Sequence, residues 1–192
     1  MKIDIILAGV GGQGILSIAS IIGVAAVNLN LHVKQAEVHG MSQRGGDVQS
    51  HLRLSDKEIA SDLIPYGRAD MILSVEPLES LRYLPYLSKD GWIISNTKPF
   101  INIPNYPPID NILDEIKSQR QYTLLDAEKI AREAGSIRAA NIVILGAASL
   151  HLDIAYEKLE EAIKFVFGRK GENIVDLNLK AMRLGREFAV KN

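Results

Sequence analysis

Two stretches of this chain concentrate bare backbone and polar side chains suited to binding or catalysis. The first is Gly9-Val10-Gly11-Gly12-Gln13-Gly14, in which Gly9, Gly11 and Gly14 satisfy G-x-G-x-x-G and Gly12 adds a second side-chain-free position. Such a loop aims several backbone N–H groups at one point, and a helix opening behind it adds partial positive charge, so a phosphate or another anion fits there. The same glycines would equally serve a tight strand-to-helix turn that needs positive φ angles and holds no ligand. Gln13 is permitted by the pattern without being required by it. A dinucleotide site also wants an acid about 20 residues further on, at the tip of a second strand. Glu37 stands at about that distance from Gly14.

The second stretch is Glu37-Val38-His39-Gly40-Met41-Ser42-Gln43-Arg44-Gly45-Gly46-Asp47. It gathers many different functional groups between two expected strands, and a loop leaving the carboxyl end of strand two is expected beside the loop leaving strand one. The glycine loop and Glu37, Ser42, Gln43, Arg44, Gly45 and Gly46 are therefore expected to line one crevice. Arg44, flanked by bare backbone at Gly45-Gly46, could clamp a phosphate or carboxylate bidentately; the alternative is a flexible hairpin with a solvated arginine. His39 is a candidate general base without an evident orienting partner, and otherwise a polar loop residue. His39 and Glu37 lack a metal-site spacing, and His51 is expected at the surface.

Ile3–Ala8, which leads into the glycine loop, is an apolar run broken by Asp4, the pattern of a buried parallel strand. Ile15–Leu29 is an apolar helix, and His32–Val38 a second strand reached by a right-handed crossover. Val48–Leu54 alternates as a half-exposed strand, with a short return around Glu58–Ala60. Met71–Val75 and Trp92–Ser95 are further strands, joined by a helix from about Pro77 to Leu87 and punctuated by Gly91. Lys98–Pro108 holds four of the seven prolines and marks a surface excursion over about 98–110. Tyr122–Leu125 is the expected last strand. Asp126 caps a helix Ala127–Ala134 that Gly135 ends, and Ala139–Leu150 is a buried helix. Ala155–Phe167 is amphipathic, and Ile174, Leu177, Ala181, Leu184 and Phe188 form the stripe of a final helix, expected to pack on the sheet. The sum is one compact α/β unit over residues 1–192.

Composition narrows the function. With 22 Lys+Arg, 23 Asp+Glu and a net charge of −1, spread evenly, the chain has no basic field for nucleic acid. It contains no cysteine, which excludes a disulfide, a thiolate zinc site, a cysteine nucleophile and a cysteine-ligated iron–sulfur cluster within it. Its longest apolar stretches fall short of the ~20 residues that span a bilayer, and Met1-Lys2-Ile3-Asp4 lacks a secretory pattern. A cytoplasmic protein that meets neither membrane nor nucleic acid is expected.

Together the two motifs resemble the gamma-type subunit or domain of 2-oxoacid:ferredoxin oxidoreductases. The family's opening glycine loop is matched by Gly9 to Gly14. Its E-x-H-G-M-x-Q-R-G-G-x-V-x-S-H-x-R run is matched by Glu37, His39-Gly40-Met41, Gln43-Arg44-Gly45-Gly46, Val48, Ser50-His51 and Arg53. A later N-x-x-x-L-G pattern is matched by Asn141 and Leu145-Gly146, so the resemblance covers nearly the whole chain. The His-Gly-Met-Ser-Gln form is most similar to the arylpyruvate branch, with indolepyruvate as substrate. The resemblance implies a three-layer α/β/α fold with a mostly parallel, mixed, Rossmann-like sheet. It also implies an enzyme that decarboxylates a 2-oxoacid on thiamine diphosphate with Mg2+, passes electrons through Fe-S clusters to ferredoxin, and transfers the acyl group to coenzyme A.

With no cysteine, and with Gly46-Asp47 followed by Val48 instead of the glycine that thiamine enzymes place there, clusters and thiamine diphosphate are expected on a large (alpha) partner subunit. This chain would close over that partner's active site, shape the substrate pocket, or offer a site for coenzyme A, and would be inactive alone. The alternatives are a self-sufficient Rossmann-type NAD(P)-dependent enzyme and a nucleotide-binding regulatory module.

Overall fold

The computed structural model describes residues 1–39 and 45–191, without the side chain of His39. Its strands are β1 (Lys2–Val10), β2 (His32–His39), β3 (Asp47–Ser55), β4 (Ala69–Ser74), β5 (Leu87–Asn96) and β6 (Tyr122–Leu125). They form a mixed sheet of order β2-β3-β1-β4-β5-β6. β1, β4, β5 and β6 pair in parallel, while β3 pairs antiparallel with both β1 and β2.

β1 is central because its side chains are apolar on both faces: Ile3, Ile5 and Leu7 enter one core cluster, Ile6 and Ala8 the other. Its one buried charge, Asp4, is 1% exposed and lies directly opposite Arg53 of β3, whose guanidinium donates to both carboxylate oxygens at 2.7 and 3.0 Å. Burial of that carboxylate is tolerable because its partner is cross-strand and bidentate.

One layer over the sheet is made by α1 (Ile15–Asn28), α4 (Ala127–Ala134) and α5 (Ala140–Ala148), whose buried side chains share a core cluster with Ile5, Leu7 and Ile94 of the sheet. α6 (Tyr156–Phe167) packs on α1, and α7 (Glu172–Lys191) packs on α4, α5 and α6. The α7 stripe therefore meets other helices where the sequence led us to expect the sheet. The apolar α5 already covers β4 and β5 and needs a second cover on its outer side, which α7 supplies through a backbone-close crossing at Gly146 and Gly185. The opposite layer holds α2 (Pro77–Arg82), a 3-10 turn Leu84–Tyr86 and α3 (Ile109–Lys117).

Four more expectations need correction. β2 does not neighbour β1, since β3 is inserted between them. Residues 56–68 form no return strand; they fold as irregular chain across β3 and bury Ile64. His51 is consequently only 3% exposed: its Nδ1 accepts from the Ile64 amide at 3.0 Å and the Tyr86 ring meets it edge-on. The helix expected from Pro77 to Leu87 stops at Arg82 and β5 already begins at Leu87, so Gly91 lies inside that strand instead of marking the exit to it; α3 was not anticipated, although Ile109, Ile112, Leu113 and Ile116 have helical spacing and Ile112 and Ile116 are buried.

Candidate functional site

The carboxyl end of the sheet is where the chain changes face. After β1 it turns into α1 on one side, and after β4 into α2 on the other, so a crevice opens between these exits. Gly14 occupies the N-cap of α1 with φ +81°, and its carbonyl accepts from the Asn141 side-chain amide at 2.9 Å. A Cβ on Gly14 would stand 2.5 Å from that same amide nitrogen, so both the left-handed backbone and the contact require glycine. Gly12, at φ +101°, has nothing within 4 Å of where a Cβ would lie. Gln13 turns back into the loop, where its side-chain oxygen accepts from the Val10 amide at 2.8 Å.

The two glycine-bearing stretches meet through their backbones. Gly11 N–H donates to the Gly46 carbonyl at 2.8 Å, and Gly45 N–H donates to the Gly11 carbonyl at 3.4 Å. Glu37, exposed near the end of β2, lines a hollow of about 420 Å³ with Val10, Gly11, Gly12, Gly14 and Leu16. Glu37 thus joins the glycine loop despite the intervening strand, because β3 between them is the strand that Gly45 and Gly46 lead into. Ser42, Gln43 and Arg44 lie outside the described residues, as does the side chain of His39. Among the described residues no cluster of three or more His, Cys, Asp or Glu could hold a metal.

On the other side of the glycine loop lies a second hollow, of about 500 Å³, walled by Gly12, Gln13, Asn96, Phe100, Arg138 and Asn141 among others. Arg138 is exposed at its mouth. Phe100 belongs to a strap, residues 97–108, that crosses this end of the molecule, and Asn102 on the strap donates to the Gly45 carbonyl at 2.8 Å. Both ends of the strap return to Glu76, which is 1% exposed and receives the Phe100 amide at 3.2 Å and the Tyr106 hydroxyl. Burial raises the Glu76 pKa, and the Tyr106 bond and the Glu79 and Phe100 amides partly offset it. Tyr106 is likewise pushed up, by burial first and then by the carboxylate it faces.

Sequence reasoning missed Asn102, Glu76, Tyr106, Phe100 and Arg138. The proline density of the excursion was a signal that residues 97–108 are held in one conformation, but it does not say against what.

The pyruvate ferredoxin/flavodoxin oxidoreductase model matches residues 4–188. The indolepyruvate oxidoreductase subunit IorB of Archaeoglobus fulgidus is 39% identical over 199 residues, spanning 99% of this chain and 96% of that protein. The keto/oxoacid ferredoxin oxidoreductase gamma subunit of Geobacter sulfurreducens superposes with a TM-score of 0.72 at 26% identity, covering 99% of both chains. The 2-oxoglutarate:ferredoxin oxidoreductase of Magnetococcus marinus, solved with 2-oxoglutarate, coenzyme A and succinyl-CoA bound, gives a TM-score of 0.79 at 23% identity over 100% of this chain and 31% of its own. With a family match over nearly its full length, the chain belongs to the pyruvate ferredoxin/flavodoxin oxidoreductase family.

Proposed function

We propose that this chain is the cluster-free subunit of an arylpyruvate:ferredoxin oxidoreductase with indolepyruvate as its substrate, one gamma-type unit that works only in complex with a larger subunit. The observation that carries this reading is the 39% identity, over almost the whole of both chains, to an indolepyruvate oxidoreductase subunit. The donor set of this chain does not fit thiamine diphosphate or Fe-S clusters, because it has no cysteine and Asp47 is followed by Val48. These groups, their Mg2+ and the docking of ferredoxin belong to the partner, in the cytoplasm.

The glycine crevice does fit a phosphate-bearing cosubstrate, and coenzyme A is the one the reaction needs: it supplies the thiol that accepts the acyl group. The α1 N-terminus and the bare backbone at Gly12 suit its phosphates, with Arg44 or Arg138 as a charge clamp. Glu37, an acceptor on the rim, suits a hydroxyl. The self-sufficient NAD(P) reading is less well supported, since a dinucleotide site wants the second strand beside the first, and β3 separates them by about 5 Å more.

Purification of the chain from its native cells tests this. A cysteine-rich, thiamine-binding partner is expected; a homo-oligomer retaining oxidoreductase activity overturns it. Arg44→Ala should lower turnover of the assembled enzyme on arylpyruvate without unfolding the subunit, and unchanged kinetics would remove Arg44 from the site.

A further inference from the structure

We propose that Glu76 is a positioning residue, which clamps the strap 97–108 at two points so that Asn102 holds Gly45 and Gly46 against Gly11. The two oxygens of its carboxylate divide the work. Oε2 accepts from the Glu79 amide at 2.9 Å and anchors the group to the start of α2. Oε1 takes both strap bonds, from the Phe100 amide at 3.2 Å and from the Tyr106 hydroxyl. Asn102 lies between these two clamped residues, and its amide reaches the Gly45 carbonyl. Gly45 and Gly46 in turn exchange backbone bonds with Gly11. A continuous chain of hydrogen bonds thus runs from one buried carboxylate, through the strap, to the glycine loop.

Three features separate this from ordinary fold-holding. A carboxylate that is 1% exposed is costly to bury and needs charge-assisted partners, and here two of the three come from a strap with no helix or strand of its own. A stretch of this length without secondary structure is uncommon in a compact unit. Among the described residues, the strap's remaining hydrogen bonds and ion pair sit at its two ends: the Thr97 amide bonds the Leu125 carbonyl, Asn96 bonds the Lys98 carbonyl, Lys98 pairs with Asp126, and the Pro108 carbonyl accepts from the Asn111 and Ile112 amides. None of these reaches Asn102, so among the described residues the Glu76 clamp is what fixes the strap on both sides of it. Phe100, carried by the same clamp, walls the second hollow.

The proposal relies on the proposed function only in taking the glycine crevice as the ligand site, and its main test needs no activity. Amide exchange is followed residue by residue by NMR in the full chain. Glu76→Gln should speed exchange at Phe100 by about tenfold or more, the worth of a lost charge-assisted bond. It should also speed exchange at Gly11 and Gly45, with β1 and α5 unchanged. Asn102→Ala should speed Gly11 and Gly45 and leave Phe100 protected. If Glu76→Gln does not fold, Tyr106→Phe removes one Oε1 bond and should show the same pattern more weakly.

Unchanged exchange at Phe100, or faster exchange there with Gly11 and Gly45 unaffected, overturns the clamp. Uniform acceleration through β1 and α5 does so too, because it marks a merely structural residue. In the assembled enzyme both variants should raise KM for coenzyme A several-fold with kcat nearly constant. A coupled exchange pattern with unchanged KM would uphold the clamp and refute the crevice as the coenzyme A site.

Discussion

The crossing of α5 and α7 allows a sharp test, because two elementary effects there have opposite signs. A Cβ on Gly146 would stand inside the carbonyl of Met182, and a Cβ on Gly185 inside the carbonyl of Val143. Helix propensity alone favours Gly146→Ala by about 1 kcal/mol. Overpacking costs about 1–3 kcal/mol when side chains can adjust. Here the obstructing atoms are backbone, so two helices must separate along a contact that seals Val143, Ala181 and Met182 in the core. We take the upper end of that range, about 3 kcal/mol, which leaves a net destabilisation of about 2 kcal/mol after propensity. Gly23 in α1 is the control, since a Cβ there meets nothing within 4 Å, and Gly23→Ala should stabilise by about 0.5–1 kcal/mol. For a chain of this size each kcal/mol moves Tm by about 2–4 °C. Circular dichroism melts should therefore show Gly146→Ala about 4–8 °C below the parent and Gly23→Ala up to about 4 °C above it. Melting of Gly146→Ala at or above the parent would refute the close-approach argument.

Other sites give independent checks. Asn141→Ala removes the 2.9 Å bond to the Gly14 carbonyl, so urea unfolding should show a loss of about 1 kcal/mol; an unchanged midpoint would remove Asn141 as the support of the glycine loop. Arg53→Ala leaves Asp4, at 1% exposure, with the exposed Lys2 ammonium at 2.9 Å as its remaining charge partner among the described residues, and should cost about 3–5 kcal/mol at pH 7. A loss below 1 kcal/mol would mean that Asp4 finds water or another partner. The indole of Trp92, the sole tryptophan, stacks on His151 with ring centroids 3.9 Å apart, and burial lowers the pKa of that imidazole. The unfolded chain therefore binds the proton first, and stability drawn from this group falls as pH drops below its ordinary value of 6.5. Tryptophan fluorescence should fall with a midpoint below 6.5, as the imidazolium quenches the ring, and His151→Ala should abolish the transition. A midpoint above that value would contradict the burial argument.

Much of the architecture was legible because it is written locally. The apolar run around β1, the glycine turn, the Asp126 cap and Gly135 stop of α4, and the buried run of α5 each depend on a few adjacent residues, and all stand where the sequence places them. The errors lie where a distant segment decides. His51 and Arg53 alternate like surface residues, and only the passage of residues 56–68 across β3 buries the first, while the second is engaged by that passage and by Asp4 of β1. The α7 stripe has the right period for a core-facing helix, but period says nothing about whether the surface it meets is a sheet or α5.

The family is legible in the residues alone, through two motifs and a near full-length pattern, and so is the impossibility of a cysteine-ligated cluster in this chain. Those are matters of residue identity and short-range order. Tertiary structure alone decided that β3 lies between β1 and β2, that Gly11 pairs with Gly46, and that Asn102 and Glu76 stand behind that pairing. The reason is physical: strand order and strap placement are set by long-range burial and by the need of buried polar groups for partners. Neither constraint leaves a periodic or adjacent signature in the chain.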